Sequence, residues 1–495
     1  RQFLEEFMKM SRKFKNKQKL GRTVCMIFAL LLVFGIYLAW ACSQRHNFSP
    51  DEGMRSRIVQ YIYEHGKLPH GGDPEIRDED WGISYAFNPI LSYMISALFM
   101  KITSFFTTDE WALLISARMV NVLFGTASAY CIFKIGEALF KKGERVMFFF
   151  LCTLLPGAAI LYTYINCDGL ALFSSSFIIY MWVRAMNEGW TKKNSILLGV
   201  ALSLCALSYY DAYGYALCSI LFFVVSSLGY GKKKPDFKLM FKRGLLITAV
   251  VAVLAGWWFV RNYIIYDGDF LARKTMHEYA IKYAKPQFNP KNVTTFKDYP
   301  EANIISMLKY HAPGFKYRWV GMVVYGVVGI FGYNQIFLGK KVYYPYFALI
   351  LVGLVFVIWK ARDIFYLKRE QVMLEKKINE EETVEQVLIR QKGIRPQGLF
   401  HLCLLLGMII PNVLNLYYSY TSDYQPQGRY SMPMLVPMMY FVTMGYSRVA
   451  DHFIKNQKLK QLCYYLVSIG TIVVALFLWA RLLYPLYLQN YNGLH

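Results

Sequence analysis

The sequence predicts an all-α polytopic membrane protein. It has about eleven transmembrane helices, with further juxtamembrane helices lying on the outer surface. Three observations predict this. Apolar residues come in blocks of about 20, the length that crosses a bilayer. Tyr and Trp gather at block ends, as interfacial belts require. Lys and Arg segregate to alternate loops, which orients the spans. A chain that is 56% hydrophobic and 17% aromatic is poorly suited to a soluble fold, and its net charge of +23 sits in loops and tails, facing anionic lipid rather than nucleic acid.

Thirteen apolar stretches can be marked, near 22–42, 87–104, 112–138, 146–165, 168–187, 195–209, 213–229, 245–264, 317–334, 342–360, 398–416, 430–447 and 462–484. If all thirteen cross, the loops with Lys141, Lys142, Lys192, Lys193 and Lys232 to Lys234 face outside, while uncharged turns near 165–168 and 210–213 face the cytoplasm. That inverts the positive-inside rule at loop after loop. Placing 87–104 and 317–334 on the outer surface repairs every loop at once. The first carries Asn88, Pro89 and Lys101, and the second is interrupted by Gly321, Gly326, Gly329 and Gly332.

The resulting organisation is a cytoplasmic basic tail (1–21), a transmembrane core (22–360) with outer loops 43–111 and 265–341, a charged cytoplasmic segment (361–397) and C-terminal transmembrane helices (398–495). The first span follows a basic lead-in, Lys9 to Arg22, and is long enough to remain as an anchor. In 361–397, Val372, Leu374 and Ile378 at helical spacing point to a helix on the inner surface, and the acidic run Glu380 to Glu382 fits a solvated linker equally. The nine cysteines, among them Cys25, Cys152, Cys218 and Cys403, show no metal or disulfide spacing and read as packing residues.

With eleven spans, several polar motifs share the outer face. Asn47-Phe48-Ser49-Pro50-Asp51-Glu52-Gly53-Met54-Arg55 follows the first span. Its plain reading is a capping box, with Ser49 as N-cap, Pro50 at the first helical position and acids at the positive end of the helix dipole. Its chemical reading is a carboxylate, Asp51 beside Glu52, held at the membrane surface to take a proton from an attacking hydroxyl. The helix it opens has Met54, Ile58, Tyr61 and Ile62 on one face and is expected to lie on the membrane. Asn166-Cys167-Asp168-Gly169 and Tyr209-Tyr210-Asp211 are outer turns whose acids read as turn residues or as parts of a site. Arg261-Asn262 ends a span after Trp257-Trp258 and reads as a snorkelling anchor or a phosphate ligand. Arg429, in Gln427-Gly428-Arg429-Tyr430, stands alone between Phe400 and Arg448, a placement that charge topology explains poorly and anion binding explains well. No phosphate loop, metal-ligand His pair, nucleophile elbow or dinucleotide fingerprint is present, and the span interiors show no acid–histidine relay for ion-coupled transport.

These motifs in this order (Ser-Pro-Asp-Glu, Asn-x-Asp-Gly, Trp-x-x-Arg-Asn, Gln-Gly-Arg-Tyr-x-x-Pro) resemble the GT-C superfamily, over roughly residues 22–447. Within it the chain is similar to a bacterial multi-pass family with Pro-Asp-Glu and Gln-Gly-Arg-Tyr motifs. The resemblance implies an inverting glycosyltransferase that moves a sugar from a polyprenyl-phosphate donor to a cell-surface glycan or lipid-linked acceptor, at the outer face of the plasma membrane. The candidate catalytic acids are Asp51, Glu52 and Asp168, with Asp51 as base. Arg261 and Arg429 are the donor-phosphate ligands, and Arg55, Asn166, Asp211, Asn262 and Tyr430 are candidate substrate contacts. Relatives often carry His where this chain has Arg55. The motifs name no certain cofactor and leave a divalent metal open. The alternatives are a lipid-linked oligosaccharide polymerase or ligase of the same fold, and a lipid or glycan flippase, which would want a polar path through the spans.

Overall fold

The computed structural model describes residues 2–229, 236–378 and 384–491. The runs Lys232 to Lys234 and Glu380 to Glu382 lie outside the described residues. The chain opens with α1 (Gln2–Cys42), whose apolar part runs from Leu20. The loop that follows is folded, not open. It holds α2 (Glu52–His65) and α3 (Leu91–Thr103). Next come α4 (Glu110–Leu139), α5 (Lys142–Leu154) and the short α6 (Pro156–Ala159). Then follow α7 (Asp168–Glu188), α8 (Lys192–Ala206), α9 (Gly214–Gly229) and α10 (Phe237–Ile265). The segment after α10 carries α11 (Arg273–Tyr283), α12 (Ile304–Lys309) and α13 (Trp319–Gly329), then a hairpin of two-residue strands, β1 (Ile330–Phe331) with β2 (Ile336–Phe337). The chain continues as α14 (Lys340–Trp359), α15 (Ala361–Ile364) and a second antiparallel hairpin, β3 (Lys368–Ile378) with β4 (Val384–Ile394). It ends with α16 (Pro396–Thr421), α17 (Gly428–Ser431), α18 (Leu435–Phe453), α19 (Gln457–Leu478) and α20 (Tyr484–Tyr491).

Among the described residues, eight helices are long and apolar enough to cross a membrane, or nine if Lys142–Leu154 and Pro156–Tyr162, bent by 53°, form one span. The two stretches set aside on charge grounds are short helices, α3 with 13 residues and α13 with 11. At 1.5 Å per residue neither approaches the ~30 Å hydrocarbon core. Two of the eleven expected spans fall outside the set. The stretch 195–209 is α8, 15 residues long, and 430–447 is divided among the short α17, a 3-10 turn (Met432–Met434) and α18, whose 19 residues include Arg448, Asp451 and His452. Leu435 to Gly445 of α18 is buried throughout, as in a helix at the centre of a bundle. Exposed apolar side chains form the lipid-facing surface: Phe28 and Leu31 on α1, Val253 and Ile264 on α10, Leu351 and Ile358 on α14, and Ile469 and Val473 on α19.

Two expectations are corrected here. The apolar face of α2 does not lie on the membrane. Ile58 and Tyr61 are buried in a cluster with Tyr93, Ala97 and Met100 of α3 and Trp258 of α10. The lipid-facing element is α3 itself, with Leu98, Ile102, Phe105 and Phe106 exposed along it and just beyond. Segment 361–397 is chiefly the β3–β4 hairpin rather than a helix. Val372, Leu374 and Ile378 are all even-numbered, so a period of two fits them as well as a period of 3.6.

Candidate active site

The site lies at the end of the bundle where α1 finishes, α2 and α7 begin, and the Gln427–Tyr430 turn docks. Glycine makes the docking possible. A Cβ on Gly428 would stand 2.2 Å from the Gly326 carbonyl carbon of α13, so both positions must lack one. That contact fixes Arg429 against the loop before α2, 378 residues earlier in sequence, where its Nη2 donates to Asp51 Oδ2 at 2.6 Å.

Asp51 is the N-cap of α2 in position only. It takes a left-handed conformation (φ 65°, ψ 6°), and its side chain makes no capping hydrogen bond. The capping-box reading therefore fails. Ser49 Oγ instead donates to Gln44 Oε1, and the acceptor for the exposed helix amide Gly53 N is Asn47 Oδ1 at 2.9 Å. Left-handed backbone at a non-glycine residue is strained and concentrates at functional positions. Here it aims the Asp51 carboxylate at two guanidiniums, Arg429 and, at 3.6 Å, Arg55. Arg55 is fully buried, lies 4.9 Å from the Tyr85 ring centre, and donates from Nη1 to Asp168 Oδ2 at 3.0 Å. Asp168, at the start of α7, is thereby joined to Asp51 through one cation. Burial alone would raise the Asp51 carboxyl, but the charges of Arg429 and Arg55 outweigh it and hold the group below the ordinary carboxylate range. Burial and the Asp51 charge push the neighbouring Tyr85 hydroxyl well above its usual value.

The guanidiniums are underused. Buried Arg55 Nε and Nη2 and Arg429 Nε and Nη1 have no hydrogen-bond partner. Unpaired buried donors are costly and call for a ligand. Beside Arg429 lies a small cleft open to solvent, lined by Ser49, Pro50, Tyr164, Gly326, Gly428 and Arg429 among others. Tyr430 flanks it, its hydroxyl accepting from Arg429 and donating to Gln425.

Other expected site residues take different places. Glu52 is completely buried and saturated. It accepts from Arg118 Nε and Nη2, both at 2.8 Å, and from the amides of Ile165 and Asn47. With no free lone pair facing a substrate, it holds the loop to α4 rather than reaching the chemistry. Asn166 is buried too, its amide donating to the Leu161 and Tyr164 carbonyls and its Oδ1 accepting from Gly169, so it shapes the turn before α7. Arg261 bonds to the Pro69 carbonyl at 2.7 Å, and Asn262 reaches the Phe270 carbonyl. The first bond ties α10 to the segment between α2 and α3, the second closes the turn after α10, and neither residue contacts Asp51 or Arg429 by a hydrogen bond. Asp211, on the 3-10 turn Tyr210–Ala212, keeps a buried Oδ2 with no partner.

Two functional neighbours escaped the sequence reading. Arg118 lies in the stretch 112–138, read only as a span, and an Arg within that apolar block was the available signal, since such a group needs a partner. Arg273 stacks 4.1 Å from the Tyr210 ring centre, in the Asp211 turn, and no sequence pattern marks it. For a metal, the described residues hold one close group of three ligand-type side chains, Glu64, His65 and Glu75, exposed on and beside α2.

No family model and no curated protein sequence matches the chain. Solved structures do. The archaeal oligosaccharyltransferase AglB from Archaeoglobus fulgidus, in complex with an inhibitory peptide and a dolichol-phosphate, is 11% identical, with 94% of this chain and 56% of that chain covered and a TM-score of 0.51. The apo form of the Archaeoglobus fulgidus oligosaccharyltransferase is 13% identical over 94% of this chain and 55% of that one, with a TM-score of 0.54. This chain has the GT-C fold. It spans about half the length of those oligosaccharyltransferases. ArnT from Cupriavidus metallidurans in the apo state also matches, at 13% identity over 95% of this chain and 74% of that one, with a TM-score of 0.48.

Proposed function

We propose that this GT-C-fold protein is an inverting glycosyltransferase that uses a lipid-phosphate-linked sugar at the outer membrane face. The carrying observation is Arg429, a nearly buried guanidinium with two unpaired nitrogens, beside a cleft and 2.6 Å from the Asp51 carboxylate. A lipid phosphate placed there gains charge-assisted bonds from a preorganised fork. In the transfer, the acceptor oxygen forms a bond to the anomeric carbon as the bond from that carbon to the phosphate oxygen breaks. The departing electron pair goes to the phosphate, held by Arg429, and the hydroxyl proton goes to Asp51. Occupation of Arg429 by the donor phosphate competes with Asp51 for the guanidinium and raises the basicity of the carboxylate when it is needed. Asp168 steadies the group through Arg55, and Glu52, paired with Arg118, is a positioning residue. The acceptor is a glycan or a lipid-linked saccharide. Transfer of a whole oligosaccharide is the second reading, motivated by the fold shared with AglB. The test is turnover by purified protein of a monosaccharide-phosphate lipid and of an oligosaccharide-linked one. The account expects transfer from the monosaccharide donor, lost in Arg429→Ala. Transfer from the oligosaccharide donor alone selects the second reading, and transfer from neither removes both.

A further inference from the structure

The paired acids raise the question of a metal, and the residues present do not fit one. A divalent ion held by carboxylates needs oxygens at roughly 2.0–2.6 Å and several of them. Here Asp51 Oδ2 and Asp168 Oδ2 are both turned to Arg55, at 3.6 and 3.0 Å, and Asp51 Oδ2 also accepts from Arg429. The guanidinium of Arg55 therefore lies where an ion bridging these acids would sit. It has no route out, because its side chain is 0% exposed and is covered by Tyr85.

We infer that Arg55 is the built-in cation of this site, taking the place of a divalent metal between Asp51 and Asp168, so that transfer runs without a metal ion. The inference rests on the transferase reading for its consequence, while the occupancy of the acid pair is independent of it. Arg55 is a positioning residue: it holds the base and its partner acid in one charge group.

The experiment measures Mn²⁺ binding by electron paramagnetic resonance on the purified full chain carrying His65→Ala, which removes the exposed Glu64–His65–Glu75 group, alongside turnover with and without a chelator. The expected result is no stoichiometric Mn²⁺ and turnover untouched by chelation. Arg55→Ala on the same background should lose turnover, gain a Mn²⁺ site that Asp51→Asn abolishes, and recover turnover when Mn²⁺ is supplied. Arg55→Lys, which keeps the charge and covers the case in which Arg55→Ala fails to fold, should bind no Mn²⁺. Stoichiometric Mn²⁺ in the His65→Ala protein that disappears with Asp51→Asn overturns the inference, as does turnover that chelation stops and Mn²⁺ restores. If no donor is turned over at all, the transferase reading falls, and the binding arm still decides whether Arg55 fills the site.

Discussion

Glu52 and Asp51 are consecutive acids, and each meets an arginine from a distant part of the chain, yet their surroundings differ in one respect. Around Glu52 the bonding is complete. Arg118 meets it in bidentate fashion and spends its remaining donors on the carbonyls of Ala41, Gln44 and Arg45. Around Asp51 the bonding is incomplete. Arg55 and Arg429 retain unpaired nitrogens, Asp51 sits in left-handed backbone, and the cleft opens beside them. The Glu52–Arg118 pair is fully buried and the Asp51–Arg429 pair partly so. A saturated one closes a fold, whereas an unsaturated one is poised for an anion that the protein does not itself contain.

The largest effect expected from this contrast is at Asp51. Asp51→Asn keeps a residue that tolerates left-handed backbone but cannot take the hydroxyl proton, so turnover should fall about a hundredfold to ten-thousandfold. Its unfolding temperature in detergent should fall less than that of Glu52→Ala, because Arg55 keeps Asp168 as a partner. Near-normal turnover would remove Asp51 from the chemistry. Glu52→Ala should show the opposite pattern. It leaves Arg118 buried and unpaired, a loss of about 3–5 kcal/mol, read as a lowered unfolding temperature. Wild-type stability with abolished turnover would place Glu52 among the reacting groups and erase the contrast.

A smaller, graded effect concerns pH. The Asp51 carboxyl is held below its ordinary value of 3.8 by Arg429 and Arg55 against the opposing effect of burial. The stability this contributes is present above the unfolded value and is lost as pH falls through the lowered folded value. In turnover, Arg429→Gln removes one cation, so the acid limb of the kcat/KM profile should move to higher pH. An acid limb that stays where it was would mean that the limiting group is not Asp51.

Much of this was legible in advance. The positive-inside rule set 87–104 and 317–334 apart from the spans, and their helices are indeed short, 13 and 11 residues. The motif order brought Asp51, Asp168 and Arg429 to one end, and the fold places them together. The sequence did not reveal what each acid was bonded to. Asp51 and Glu52 are indistinguishable as letters, and the difference comes from Arg118, 66 residues away from Glu52, and from a Gly326–Gly428 contact that no local pattern encodes. Arg261 was grouped with Arg429 as a phosphate ligand, although its plain reading was a snorkelling anchor at a span end after Trp257-Trp258. Tertiary packing sends one to the Pro69 carbonyl and the other to Asp51. Sidedness rests on charge placement and is checked by labelling with a membrane-impermeant thiol reagent. Cysteine at Thr107 should react from outside and cysteine at Lys192 only from inside. The reverse pattern would put the site on the cytoplasmic face, where no lipid-carried donor is needed.

The most direct measurement is equilibrium binding of a polyprenyl-phosphate and of the neutral polyprenol of equal chain length, to wild type and Arg429→Ala. Wild type should prefer the phosphate, and Arg429→Ala should lose roughly tenfold or more of the phosphate affinity, corresponding to a charge-assisted bond of about 1.5–3 kcal/mol, while polyprenol binding stays unchanged. Equal binding of the two lipids by wild type, or an equal loss for both in Arg429→Ala, would contradict an anion site at Arg429.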